Sequence, residues 1–415
     1  MKNKNKVKLL TTATLLTTFL INTGIQSSNQ IENNTAQAAT NKKKTKPSGQ
    51  KPNGKPGKGG PNTQSYDYKG TLKASLNVKS GTTKVGKKTI TNNKTDQNVA
   101  LIQKNGKLSL DGTKLKKTGN SKNDDNANFY GLDSILLANG KNAVATVKNS
   151  KVTTKGTGSP LAYSTGTINF NNVTGTASGS QIAGMEGYNK IYLVNSNLTS
   201  TNNKLSGSDP IKNGVIIYQS TSGDAETSSS KSADFQAKDS TLKTAITSGA
   251  MFYVTNTTGK ITLENTKLNF NNSKVDLLNV AGNNSNGWGT KGKNGGHVTL
   301  KAKNQNLKGN IVVDSISSAN VKLTDDSTYT GKTSIVANKY ATSSSKSKMP
   351  LTISVGSNSK WIVTGNSTVT NLNLADGGEI VDSQGNKVTI IANGKTVQKG
   401  TSSYALTVKG SFTTN

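Results

Sequence analysis

The feature that most restricts this chain is a short pattern that recurs after residue 100: apolar, any, apolar, any, Asn or Asp, two further residues, apolar. Ala145, Val147, Asn149 and Val152 fit it, as do Ile191, Leu193, Asn195 and Leu198. Phe235, Ala237, Asp239 and Leu242 repeat it, followed by Ile261, Leu263, Asn265 and Leu268. Leu108, Leu110 and Leu115 carry Gly112 at the polar place, while Ile168/Phe170 and Val321/Leu323 keep the apolar pair with a shifted partner. The second apolar residues fall at 147, 170, 193, 237, 263, 300 and 323, so the commonest interval is 23 residues. The two longest gaps contain the apolar runs Val215-Ile216-Ile217 and Leu277-Leu278-Asn279-Val280, which are expected to supply the missing rungs.

Alternation of apolar and polar residues marks strands with one buried face; a helical repeat would space its apolar residues by three and four. A unit of this length cannot bury its own face, so successive units must stack. The expected fold is all-β, a single-domain right-handed parallel β-helix of about 23 residues per coil. Its core is a narrow column, which explains how 31% hydrophobic residues, 5% aromatics and 42 glycines suffice. The recurrent Asn or Asp either stacks as a hydrogen-bonded ladder or supplies turn geometry, and the two roles are compatible.

Residues 1–38 read as a signal peptide: a cationic MKNKNKVK start, an apolar Leu9 to Ile25 stretch broken by Thr, and Ala36-Gln37-Ala38 before the cut. Residues 39–64 form a Lys/Pro/Gly-rich linker expected to be disordered, with seven lysines and four of the seven prolines between Asn41 and Asn62. The β-helix is expected over 65–364. Residues 365–415 should hold the last coils and a β cap, with an Asn393-Gly394 hairpin and a final strand near Tyr404 to Val408. No later stretch is long and apolar enough for a stable transmembrane segment, so the expected location is secreted, with the basic N-terminal segment able to hold the protein at the cell wall.

Every basic residue is Lys, and there is no cysteine. Arginine-dependent catalysis, thiol chemistry and cysteine metal sites are therefore excluded. The net charge of +31 becomes +28 once the signal is removed, which favours anionic partners at low salt. Nucleic acid is not expected, because the basic linker lacks interleaved aromatics and Arg.

The stretch Gly282 to His297 is the most unusual local sequence, with Trp288 in a Gly-rich loop. Trp288 could stack on a sugar ring while Lys291, Lys293, Asn294 and His297 bond hydroxyls or a carboxylate. Tyr218 and Tyr253 are candidates for the walls of the same cleft, or for the core. Asp124 and Asp125 lie in an oxygen-rich stretch read as an exposed turn, a weak Ca²⁺ candidate; no other metal and no cofactor is expected. Asp224 and Glu226 have the same weak status. Asp325 and Asp326 could meet His297 about one coil away, the arrangement a polysaccharide hydrolase would need. Asp325 also sits on the polar repeat position, which is a structural role.

The segments Asp124-Asp125-Asn126-Ala127-Asn128-Phe129-Tyr130-Gly131, Gly158-Ser159-Pro160-Leu161-Ala162-Tyr163-Ser164, Val215 to Ser220 with Ser222 to Glu226, Met251 to Asn256, and Ala281-Gly282-Asn283-Asn284 through Gly289 give the chain a resemblance. It resembles the adhesin-like secreted right-handed β-helix proteins of Gram-positive gut and mucosal bacteria, and distantly β-helical carbohydrate-binding domains. The resemblance spans roughly residues 100 to 370 and implies a pectin-lyase-like fold and a surface location, without a ligand or catalytic residue to carry over. The leading expectation is non-catalytic binding of polysaccharide or of host or envelope glycans, with anionic glycans ahead of neutral ones as partners, or of cell-wall polymers. The alternatives are a β-helical polysaccharide lyase or glycoside hydrolase, and a structural envelope spacer. Oligomeric state is not encoded in any motif.

Overall fold

The computed structural model describes Tyr68, residues 70–219, 231–283 and 290–414. The proposed signal peptide and linker, Asp224, Glu226 and Trp288 lie outside these residues. The described chain is a parallel β-helix solenoid: strand after strand pairs in parallel with its counterpart one coil earlier. One wall is a ten-stranded sheet running from Ala74–Val78 through Asn98–Gln103, Leu136–Asn139, Ala162–Ser164 and Ala183–Glu186 to Thr333–Val336. The other walls come from the repeat itself. The strands Val144–Thr154 and Thr167–Ala177 each turn a corner and so serve two walls.

The corner explains the recurrent polar position. Asn149, Asn172, Asn195, Asp239, Asn265, Asn304 and Asp325 all have φ between 44° and 55°, in the left-handed region where Asn and Asp are tolerated, and Gly112 joins them at 62°. The same side chains also form a ladder: Asn172 Nδ2 donates to Asn149 Oδ1 at 2.8 Å, and Asn265 Nδ2 to Asp239 Oδ1 at 2.6 Å. Turn geometry and ladder therefore coexist.

One residue later the chain re-enters the interior with a small polar side chain, and a second ladder forms. Ser150 Oγ accepts from the Thr113 amide at 3.0 Å, Ser196 Oγ from Val173 at 3.2 Å, and Ser240 Oγ from Ser196 at 3.1 Å. Each hydroxyl satisfies an amide of the preceding coil that the bend would otherwise strand.

The core is the column of inward residues. Ala145, Ile168, Ile191, Phe235, Ile261, Leu300, Val321 and Ile353 stack in register along one wall and are all buried. The register corrects two sequence expectations. Leu193 pairs directly with Ala237, so the 44-residue interval is a single coil. Val215-Ile216-Ile217 and Leu277-Leu278 are not missing rungs; they belong to the ten-stranded wall of the same coils. Likewise Leu263 pairs with Ala302, and Leu300 with Ile261, because an apolar-x-apolar-x-apolar strand offers two equivalent alignments.

The long coils carry insertions, and those among the described residues lie at the two ends of the ten-stranded wall. Before it come the helix α1 (Asp124–Tyr130) and residues 201–212; after it come 281–296 and 337–350. Helix α1 replaces the turn expected at Asp124 and Asp125. Asn123 caps it, accepting from the amides of Asp125 at 2.8 Å and Asn126 at 3.2 Å, and Gly131 ends it at φ 59°.

The C-terminal cap agrees with the sequence. Thr389–Ala392 and Lys395–Gln398 pair antiparallel across Asn393-Gly394, and Ala405–Val408 follows as a parallel neighbour. Trp361, on the strand Lys360–Val363, is buried, its ring 5.7 Å from that of Tyr329 and its Nε1 donating to Gly331 O at 2.9 Å.

Candidate functional site

Two insertions at the C-terminal end of the ten-stranded wall meet. Residues 281–296 follow the strand Asp276–Val280, and 337–350 follow Thr333–Val336 two strands further on, about 10 Å away. Between them the chain makes only a short turn after Ile311–Asp314, which leaves room for both loops. Asp314 pins them from below: its carboxylate accepts from Gly282 N at 2.8 Å and from Asn338 Nδ2 at 2.8 Å. Asn338 in turn receives the Tyr340 amide at 3.0 Å, and Ser347 N bonds Ser315 O at 2.8 Å. The backbones touch at Gly292, where any Cβ would stand 2.2 Å from Tyr340 O.

The result is a half-buried tyrosine with two cations against its ring. Lys291 Nζ lies 4.6 Å and Lys339 Nζ 5.0 Å from the centre of the Tyr340 ring, within cation–π range. Lys291 Nζ also reaches the Tyr340 hydroxyl at 3.4 Å, and these two amines pull the phenol below its ordinary range. Lys293, Lys346 and Lys348 are exposed in the same two loops. Neither loop sequence contains an acidic residue, and Asp314 is buried, so the cluster presents positive charge around a half-buried tyrosine.

The structure separates the sequence-derived candidates. Lys291 and Lys293 belong to this cluster; Trp288 lies in the same loop but outside the described residues. Asn294 is fully buried, its Nδ2 donating to Asn283 O at 2.6 Å, and it anchors the loop rather than facing solvent. His297 is half-buried at the start of the strand His297–Lys303, with Nδ1 2.8 Å from Ser318 Oγ. Burial lowers its pKa, against a smaller upward pull from Asp314. Its register partner in the next coil is Ser318, and Asp325 lies seven residues beyond along the strand direction, roughly 23 Å away. The carboxylate–histidine meeting considered from sequence does not occur.

Tyr218 and Tyr253 point outward from the ten-stranded wall yet are buried. Helix α1 covers Tyr218: Phe129 packs on its ring at 6.4 Å, and its hydroxyl reaches Asn128 O and the Tyr163 hydroxyl. Tyr163 Oη lies 2.6 Å from Asn128 O and 2.7 Å from Glu186 Oε2. Beside this group Asp209 accepts from Asn213 Nδ2 at 2.7 Å, Gln181 Nε2 at 3.3 Å and Asn128 Nδ2. Burial pushes Asp209 up to about 7 despite those donors. The cavity here admits about one water, ≈ 10 Å³ for its centre, which is too small for a sugar. This region fastens α1 to the wall and holds no substrate-sized space.

Asp124 and Asp125 form the first turn of α1, and among the described residues no group of three His, Asp or Glu converges as metal ligands. Sequence reading missed Tyr340, because it sits in a Ser/Thr/Lys-rich stretch far from Trp288 along the chain; Asn-Lys-Tyr between two apolar strands was its only signal. No helix among the described residues is long and apolar enough to cross a membrane. No protein-family model, curated protein or solved structure matches the chain.

Proposed function

We propose that this is a secreted, adhesin-like β-helix that binds acidic polysaccharide of a host or cell envelope without cleaving it, through the paired insertions at 281–296 and 337–350. The observation that carries the proposal is Tyr340 between Lys291 and Lys339, in two loops that contain five lysines and no carboxylate. The ammonium groups held against the Tyr340 ring suit carboxylate or sulfate substituents, and the tyrosine's exposed part can contact the sugar that carries them. Insertions gathered on one end of a stacked wall are a common way for a solenoid to build a binding face. Lysine, unlike arginine, makes point-charge contacts that tolerate variation in the anion's geometry. Such a site recognises charge density and a sugar ring, rather than one fixed oligosaccharide.

The non-catalytic reading rests on position. His297 is engaged with Ser318 and lies remote from Asp325 and Asp326, and no acidic residue shares the loops with Tyr340. The test is retention on immobilised acidic polysaccharide for the full chain and for Tyr340→Ala and Lys291→Ala/Lys339→Ala. Each change should weaken binding several-fold to about tenfold, roughly 1 kcal/mol, while leaving the fold intact. Unchanged retention in both variants would remove the site.

A further inference from the structure

The first coils contain a lysine and an aspartate that meet with both side chains out of solvent. Lys117 ends the strand Lys114–Lys117 with its side chain turned inward, and Asp133 lies in the turn between α1 and the strand Leu136–Asn139. Both side chains are 0% exposed, and Lys117 Nζ lies 2.7 Å from Asp133 Oδ1. A buried ion pair offsets its desolvation only when its geometry is good and its remaining donors and acceptors are satisfied. Here the geometry is imperfect: the amine donates to Lys94 O at 2.7 Å, its contact with Asp133 Oδ1 departs from ideal hydrogen-bond angles, and the Gln97 amide is the other donor near the carboxyl group. The backbone is also held in place, with Asp133 at φ 73° and Gly156 so close that a Cβ there would stand 3.1 Å from Asp133 Oδ2.

We propose that Lys117 and Asp133 join covalently, through an amide between Nζ and Cγ formed within the folded chain. The proton that separates the ion pair from the neutral pair passes from the ammonium to the carboxylate. The amine lone pair then attacks Cγ, the N–C bond forms, the C–OH bond breaks, and the hydroxyl leaves with an amine proton as one water. No oxidant, cofactor or second protein is consumed. Burial raises the Asp133 carboxyl to about 6, the Asp96 charge adding to the rise and Lys117 opposing it, so the acid form that the step needs is accessible near neutral pH. Holding the two groups in contact supplies an effective concentration on the order of 10⁵–10⁸ M, far above that of the water that would reverse the step. The link closes the segment that holds α1, in a chain with no cysteine for a disulfide.

The experiment is the intact mass of the folded full chain, followed by a protease map. The bond predicts a mass lower by one water molecule and a branched peptide that contains both Lys117 and Asp133. Lys117→Met should restore the full mass and abolish the branch. A mass equal to that of the sequence overturns the proposal. So does a lost water with Lys117 recovered in a linear peptide, which would place the dehydration elsewhere, as in a succinimide.

Discussion

Asn172 offers the cleanest test of how the coil turns its corner. Its side chain is exposed, so burial contributes little, and two effects remain. Its φ of 55° costs an ordinary L-residue about 1–2 kcal/mol relative to Gly, and Asn less. Its amide donates to Asn149 Oδ1 at 2.8 Å, worth about 0.5–1 kcal/mol net in an exposed place. Asn172→Gly loses the ladder bond but relieves the backbone, so it should cost about 0.5–1 kcal/mol. Asn172→Ala loses the bond and keeps the strain, for about 2 kcal/mol, and Asn172→Val should cost more because β-branching adds to the strain. The expected order of stability is Asn, then Gly, then Ala, then Val. Urea denaturation followed by circular dichroism measures it, and amide exchange across residues 168–200 localises the loss to the coils that share the corner. Alanine as stable as glycine would refute the backbone account. All three variants equally destabilised would assign the whole effect to the ladder bond.

Other consequences can be checked in the same way. Asp209 is fully buried and raised from an unfolded value of 3.8 to about 7, so its contribution favours the folded chain below pH 3.8 and is lost as pH rises through 7. That is about 4 kcal/mol, so the urea midpoint should fall between pH 4 and pH 8, with a smaller fall in Asp209→Asn; a rising midpoint in the native chain would contradict the burial account. Trp361→Ala should cost about 3–5 kcal/mol by opening a cavity beside Tyr329, while Trp361→Phe, which leaves Gly331 O without its donor, should cost about 1–3 kcal/mol; calorimetry or denaturation resolves the two. Lys291→Ala/Lys339→Ala should raise the Tyr340 phenol toward its ordinary value, visible as a shifted alkaline absorbance titration, and no shift would mean the amines do not sit against the ring.

The wall that carries the repeat was legible because its residues obey a strict period-two pattern ended by a fixed Asn or Asp. The 23-residue spacing from Val147 to Phe170 to Leu193 is the true register. The ten-stranded wall was not legible as such, since its strands, like Asn213–Tyr218, are buried on both faces and show no alternation. Val215-Ile216-Ile217 therefore reads, in sequence, as a missing rung. The serine ladder was hidden because Ser and Thr are abundant throughout, so a buried serine carries no distinguishing signal. Helix α1 had its signals in Asn123, two acidic residues and Gly131, but a helix of one or two turns has too little periodicity to outweigh an acidic, turn-like composition. The candidate site was half legible: Lys291 and Lys293 stood in an odd loop, while Tyr340 reaches them only because two coils of the solenoid bring residues 49 apart into contact.

The central claim is binding of acidic polysaccharide without cleavage, and retention of the full chain on carboxylated and sulfated polysaccharides against neutral ones, with released sugar ends assayed in the same samples, tests it most directly. The expected result is retention on the acidic polymers that weakens as salt rises, weakens again in Tyr340→Ala, and yields no new sugar ends. New reducing or unsaturated ends, or equal retention on neutral and acidic polymers at every salt concentration, would contradict it.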